Sequence, residues 1–250
     1  MRLFYIIVLL YGLLLGSFYN VVGLRIPLKQ SIVKPRSHCP YCQHTLRPYE
    51  LIPVVSYLLQ GGKCRRCKAP VSFLYPAVEL ATGLLFVLAP LLMGWTLELI
   101  IAWTLISLMV IVFVSDIKYM IIPDKVLLVF AVIFLLERIF LPLSPWWDSL
   151  LGAAAGFFLL LFIAVISKGG MGGGDIKLFA VIGLALGTKL VLLTFFFATI
   201  FGAVFGLAGM LIGKVEKGKP IPFGPYIALG SLTAYFFGQR ILDWYLYSFI

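Results

Sequence analysis

The sequence predicts an all-α polytopic membrane protein of about eight transmembrane helices, with a cysteine-bearing loop domain on the cytoplasmic side after the first. Three observations carry this: apolar content, the length of the apolar runs and the placement of charge. Of 250 residues 62% are hydrophobic and only 12% charged, and mean hydropathy is +1.07. Soluble domains are nearer half apolar and a quarter charged, and disordered chains are more polar still, so both classes are excluded. Twenty-one Phe, 12 Tyr and 5 Trp supply aromatic side chains for the membrane interfaces.

Runs long enough to cross a hydrocarbon core fall near 3–24, 74–94, 97–115, 124–142, 149–167, 176–188, 190–212 and 222–238. The run 176–188 is short and abuts its successor through Gly187-Thr188-Lys189. Segment 1–24 reads as a retained span, since no small-x-small cleavage site ends it. Segment 25–73 carries Arg25, Lys29, Lys34, Arg36, Arg47, Lys63, Arg65, Arg66 and Lys68 against Glu50 alone, which places it in the cytoplasm. Alternation puts the turns holding Lys118, Lys168, Lys177, Lys214, Lys217 and Lys219 on the same side, and both chain ends on the other. The formal charge of +10 is thereby an orientation signal. No nucleic-acid partner is expected, because the loop lacks an aromatic-basic stripe; membrane lipid is.

All four cysteines lie in that loop, as Cys39-Pro-Tyr-Cys42 and Cys64-Arg-Arg-Cys67. Two C-x-x-C pairs can close one tetrahedral structural zinc site, each tight turn giving two thiolates. The competing reading is a pair of disulfides or unliganded thiols, which a reducing compartment disfavours. With four sulfurs present, His38 and His44 are expected to flank the site rather than ligate.

With only ten acids in the chain, each carboxylate near a span boundary is a functional candidate. Asp116 closes the third span and Asp175 follows Gly169-Gly170-Met171-Gly172-Gly173-Gly174 at the start of the sixth, at similar depth. Two carboxylates sharing a site hold one proton between them, and such a pair hydrolyses amides without a metal or nucleophile. Helix-end dipoles predict Asp175 as the ionised base and Asp116 as the protonated acid. The glycine run is expected to reach positive φ, admit a close backbone and pair with an extended peptide. A flexible hinge with a snorkelling Asp is the competing reading. Asp124, after Pro123, reads as the N-cap of the fourth span.

Together these motifs resemble the type IV prepilin peptidase family, in its zinc-binding bacterial subset. The resemblance runs through Gly16-Ser17-Phe18-Tyr19-Asn20-Val21-Val22 with Arg25-Ile26-Pro27, Ser37-His38-Cys39-Pro40-Tyr41-Cys42, Cys64-Arg65-Arg66-Cys67 and Tyr75-Pro76-Ala77-Val78-Glu79-Leu80. It continues through Asp116 with Ile122-Pro123-Asp124, Gly172-Gly173-Gly174-Asp175-Ile176-Lys177 and Pro222-Phe223-Gly224-Pro225. It implies a first transmembrane helix over 1–24, a four-cysteine zinc-binding loop domain over 25–73 and a seven-helix aspartyl peptidase domain over 74–250. Catalytic Asp116 and Asp175 are implied, supported by Gly172, Gly173, Gly174, Lys177 and Asp124, with zinc on Cys39, Cys42, Cys64 and Cys67. The implied substrates are prepilins or pseudopilins, whose short basic leader is cut on the cytoplasmic side of the bacterial inner membrane. The new N-terminus is then methylated from S-adenosylmethionine. Glu79 is a candidate for that second step, its competing role being a pairing with a cation of the loop.

One departure from the family pattern stands at Glu50-Leu51-Ile52-Pro53, where many members have Asn at the second place. Leucine removes the amide hydrogen bonds, so a peptidase without methyltransferase activity is the alternative. A transporter is the other rival, though its acids would sit nearer the midplane within an inverted repeat.

Overall fold

The computed structural model describes residues 2–168, 170–213 and 221–249. Eight α-helices are described: α1 Arg2–Arg25, α2 Val55–Leu59, α3 Leu74–Met93, α4 Glu98–Tyr119, α5 Asp124–Phe140, α6 Asp148–Ile166, α7 Gly173–Leu211 and α8 Gly224–Phe249. A 3-10 turn covers Pro48–Leu51. Among the described residues there is no strand, only the isolated bridges His38–Thr45 and Lys63–Pro70.

Helix ends follow local chemistry. α3 stops where Gly94 takes φ 73° and its N–H returns to the Pro90 carbonyl. α4 stops where Met120 enters the left-handed region and caps the Asp116 carbonyl. Asp116 therefore lies inside the last turn of α4, which runs four residues past the expected end at 115. α8 also overruns its expected end, at 238, because hydropathy falls at Gln239, Arg240 and Asp243 while helix persists. There Gln239 donates to Asp243 one turn on, at 2.8 Å.

α7 is two helices. Gly187 adopts φ 79° and ψ 177°, so helical geometry breaks there. The chain reverses there, since Phe179 and Phe195, eight positions either side of Gly187, pack edge to face with ring centroids 6.1 Å apart. The first leg pairs Gly183 with Gly152 and Phe179 with Gly156 of α6, antiparallel. The second leg pairs Gly206 with Ile221 and Leu190 with Gly238, antiparallel to α8. A Cβ on Gly183 would overlap the Gly152 carbonyl, so α6 and the first leg touch backbone to backbone. Fourteen residues, 173–186, make a leg of roughly 21 Å at 1.5 Å per residue.

With α7 counted as two, the described residues hold eight long helical legs. Among the described residues, five helices are long and apolar enough to cross a membrane by length and composition: α1, α3, α4, α6 and α7. The chain is a multi-pass membrane protein.

α4 is the central helix, buried on nearly every side between α1, α3, α5 and α8. Tyr19 of α1 meets Ser107 at 2.6 Å, and Trp103 stacks on Phe86 of α3 while its Nε1 donates to the Phe86 carbonyl. At one end, buried Arg138 of α5 donates to the Ala185 carbonyl at 2.8 and 2.5 Å and to Glu98 Oε1 at 3.0 Å. Asp148 accepts from the Thr188 N–H, so both sides of the Gly187 break are capped by charged side chains. Fixing that end sets the helix directions, and the opposite end gathers the functional candidates.

Candidate active site and cysteine module

Asp116, in the last turn of α4, is 6% exposed, and its Oδ2 accepts the Gly224 N–H at 2.7 Å. That amide is the first of α8, so a helix N-terminus points at the carboxyl. Asp175 sits in the first turn of α7, after an N-cap at Gly172, and is close enough to Asp116 to interact electrostatically. The expected proton assignment rested on α4 and α7 alone. At Asp116 the C-terminus of α4 and the N-terminus of α8 act in opposite senses, so the helix dipoles do not separate the two carboxylates.

Two contacts dock the aspartate segments. A Cβ on Gly174 would lie 2.9 Å from Ile122 Cβ, and Lys177 Nζ binds both oxygens of Asp124 at 2.8 Å. Asp124 is thus the first residue of α5, not its N-cap; Pro123 takes the cap position and the Asp124 carboxylate turns to Lys177. The positive φ expected of the glycine run is absent from Gly170, Gly172, Gly173 and Gly174. Gly172 has φ −70° and ψ 140°, ordinary extended backbone. Gly172 and Gly174 matter for lacking a side chain: a Cβ on Gly172 would come within 2.9 Å of Asp175 Oδ2, whereas a Cβ on Gly173 would meet nothing within 4 Å. Gly169 lies outside the described residues, as do Lys214, Lys217 and Lys219.

The cysteine pairs form two equivalent knuckles. Cys39 N–H donates to the His44 carbonyl at 3.0 Å, and Cys64 N–H to the Ala69 carbonyl at 2.8 Å. The residue after each second cysteine is left-handed, Gln43 at φ 57° and Lys68 at φ 61°. The four Sγ atoms lie within 4.8 Å of one another, with Cys39–Cys67 at 3.7 Å and Cys42–Cys64 at 3.9 Å. A tetrahedron of Zn–S bonds near 2.3 Å has edges of roughly 3.8 Å, so the set fits a metal ion. The thiols are free, and the disulfide reading is not realised. Backbone N–H groups of Cys42 and Tyr41 pull the Cys39 thiol down to about 6, and those of Cys67 and Arg66 lower Cys64. Cys67, although the Ala69 amide stabilises its anion, is pushed up to about 12 by desolvation and by the sulfurs of Cys42, Cys64 and Cys39. Crowded thiolates of this kind ionise together only around a cation. Neither histidine joins the cluster: His44 Nε2 is 3.2 Å from Glu50 Oε2, and His38 Nδ1 is 3.0 Å from the Arg36 carbonyl.

Glu79, 8% exposed on α3, accepts the Val54 N–H on Oε2 at 2.7 Å and bonds Ser17 of α1. The expected cation pairing is replaced by a backbone amide of the loop. A cavity of about 530 Å³ opens between α1, α3 and the loop, with Glu79, Asn20, Tyr57 and Lys118 in its wall. Leu51, the departure from the family pattern, lines it too. Nothing in the sequence announced this cavity or the role of Gly224, since both depend on contacts between distant segments.

The arrangement defines a class: a polytopic helical membrane protein with an aspartate pair at one end and a four-cysteine module beside it. The model described as Bacterial Peptidase A24 N-terminal domain matches residues 10–93, and that of the Type IV leader peptidase family matches 103–207. The chain belongs to the type IV leader (prepilin) peptidase family. It is 50% identical over 240 residues to a Prepilin leader peptidase/N-methyltransferase of Bacillus subtilis, covering 96% of this chain and 97% of the relative. A Pseudomonas aeruginosa protein of the same description is 36% identical over 275 residues, covering 97% and 93%. One from Myxococcus xanthus is 39% identical over 214 residues, covering 84% and 64%. No solved structure matches.

Proposed function

We propose that this chain is an aspartyl endopeptidase that removes the short basic leader of type IV prepilins or pseudopilins on the cytoplasmic side, then N-methylates the new N-terminus. The observation that carries the peptidase reading is the convergence of Asp116 and Asp175, 59 positions apart, at one end of the bundle. One carboxylate takes a proton from water as the oxygen attacks the scissile carbonyl, and the other gives its proton to that carbonyl's oxygen. Collapse of the gem-diol expels the amine, which takes a proton from the pair. Asp116 Oδ2 is already an acceptor for Gly224, which leaves Oδ1 for proton exchange. Gly172, Gly173 and Gly174 leave room for an extended substrate backbone. The Lys177–Asp124 pair holds α5 and α7 in register beneath it.

Structural zinc is assigned to Cys39, Cys42, Cys64 and Cys67, where it would tie the two knuckles together. S-adenosylmethionine is the proposed methyl donor, and Glu79 the residue assigned to that step. The charge distribution supports a cytoplasmic position for the aspartates and the zinc module. Purified protein incubated with a prepilin-like peptide and S-adenosylmethionine tests both activities by mass spectrometry. Leader loss with gain of one methyl group is expected. An intact peptide overturns the peptidase reading, and a cut but unmethylated peptide overturns the methyltransferase reading.

A further inference from the structure

We infer that α2 and the residues beside it are an interfacial anchor, seated at the boundary of headgroups and acyl chains with Ile52, Val55, Leu58, Leu59 and Phe73 turned into lipid. This stands independently of the catalytic reading. It moves part of segment 25–73, expected as a cytoplasmic loop domain, into the membrane interface.

The polarity of α2 is reversed. Ser56, Tyr57 and the C-cap Gln60 share one face and line the cavity of about 530 Å³. Val55, Leu58 and Leu59, also at helical spacing, face outward, Leu58 being 69% and Leu59 83% exposed. A helix packed on a domain in water shows the opposite arrangement, apolar inward and polar outward. An outward face of valine and leucine calls for apolar surroundings. Ile52 before the helix and Phe73 after it are exposed too. The Phe73 ring meets that of Tyr57 edge-on with centroids 6.4 Å apart, which brings it beside α2.

Height decides what those surroundings are. The Val54 N–H, at the start of α2, donates to Glu79 Oε2 at 2.7 Å. Glu79 stands five residues beyond Leu74, the first of α3, a helix long and apolar enough to cross the membrane. At 1.5 Å per residue that is roughly 7.5 Å inside the helix end. α2 therefore lies alongside the first turns of a membrane-crossing helix rather than beyond it, and Leu80 of α3 is exposed at the same level. After α2 the chain turns through Gly61 and Gly62, at φ 59° and 67°, and presents Lys63, Arg65, Arg66 and Lys68, all exposed. Apolar side chains followed by a cluster of cations are the composition of a segment lying in the interface, the cations suiting lipid phosphates. A protein partner would account for the apolar face but not for its height. α2 is thus the wall between lipid and cavity, and it ties the cysteine module to the bilayer away from its chain connections.

The test uses the full chain in phosphatidylcholine–phosphatidylglycerol vesicles. Leu58→Trp and Leu59→Trp on the outward face, and Gln60→Trp on the cavity face, are each measured against the background of the 5 native Trp. Zinc content and thermal unfolding report folding. For the two outward positions the added emission should be blue-shifted, quenched at least twofold by lipids brominated on the acyl chain near the headgroup, and untouched by aqueous acrylamide. Gln60→Trp should escape the brominated lipid. Outward emission that acrylamide quenches and brominated lipid does not puts α2 in water and overturns the inference. Outward emission shielded from both quenchers marks a protein contact and overturns it equally, as does Gln60→Trp quenched by lipid like its neighbours. Leader removal by the same variants is assayed separately, so failure of the peptidase reading leaves these outcomes unchanged.

Discussion

The Gly224 amide is the contact on which the aspartate pair most depends, because it fixes which Asp116 oxygen remains free. A Cβ at Gly224 would lie 2.8 Å from Asp116 Oδ2 and 3.0 Å from Cγ, so even alanine must displace the carboxylate. Gly224→Ala is expected to lower peptide cleavage at least about tenfold, with helical content and zinc binding unchanged, because about 1 Å of misplacement costs this much in positioned catalysis. Cleavage kinetics beside circular dichroism check this. In the loop, Glu50 accepts the Arg47 N–H at 2.9 Å and pairs with His44, so the Arg47 amide first, and His44 with it, hold its carboxyl below the usual range. Glu50→Ala should destabilise the module by about 1–2 kcal/mol, read as weaker zinc retention against a competing chelator.

At the level of elements, the break in α7 is the feature the sequence disclosed only in part. Gly187-Thr188-Lys189 marked the joint because a glycine and a cation interrupt a run that is otherwise uniformly apolar. What hydropathy could not convey is how the break is held. Arg138, near the end of the run 124–142, is 7% exposed and caps the first leg of α7 through Ala185. A charge in a sequence has no spatial address until its helix is packed. Arg138→Met should leave that carbonyl and Glu98 without their donor and cost about 2 kcal/mol, measured by denaturant unfolding in detergent. The aspartate motifs were legible for the opposite reason: their residue types, glycine spacing and place at span ends are local. The α8 end that completes the site is more than a hundred positions from Asp116, and no local pattern encodes that contact.

At the scale of the molecule, one end of the bundle is held by the Arg138 and Asp148 contacts, and the other gathers the aspartate pair and the cysteine module. Between the knuckles and the membrane helices lies the cavity, with Cys39, Cys64 and Glu79 in its wall. Metal removal should therefore fall unequally on the two activities. Chelation under reducing conditions is expected to lower methylation more than peptide cleavage, because the aspartate pair is built on α4, α7 and α8. Parallel assays of methylation and leader removal after chelator treatment check this, and zinc restoration should recover methylation. The central claim is that Asp116 and Asp175 act as one catalytic unit. Its most direct measurement is cleavage of a prepilin-like peptide by Asp116→Asn, Asp175→Asn and the double variant. Groups that work as a unit are non-additive, so each single variant should fall by about a thousandfold or more, to the same floor as the double. Either single variant cutting at the wild-type rate would contradict it.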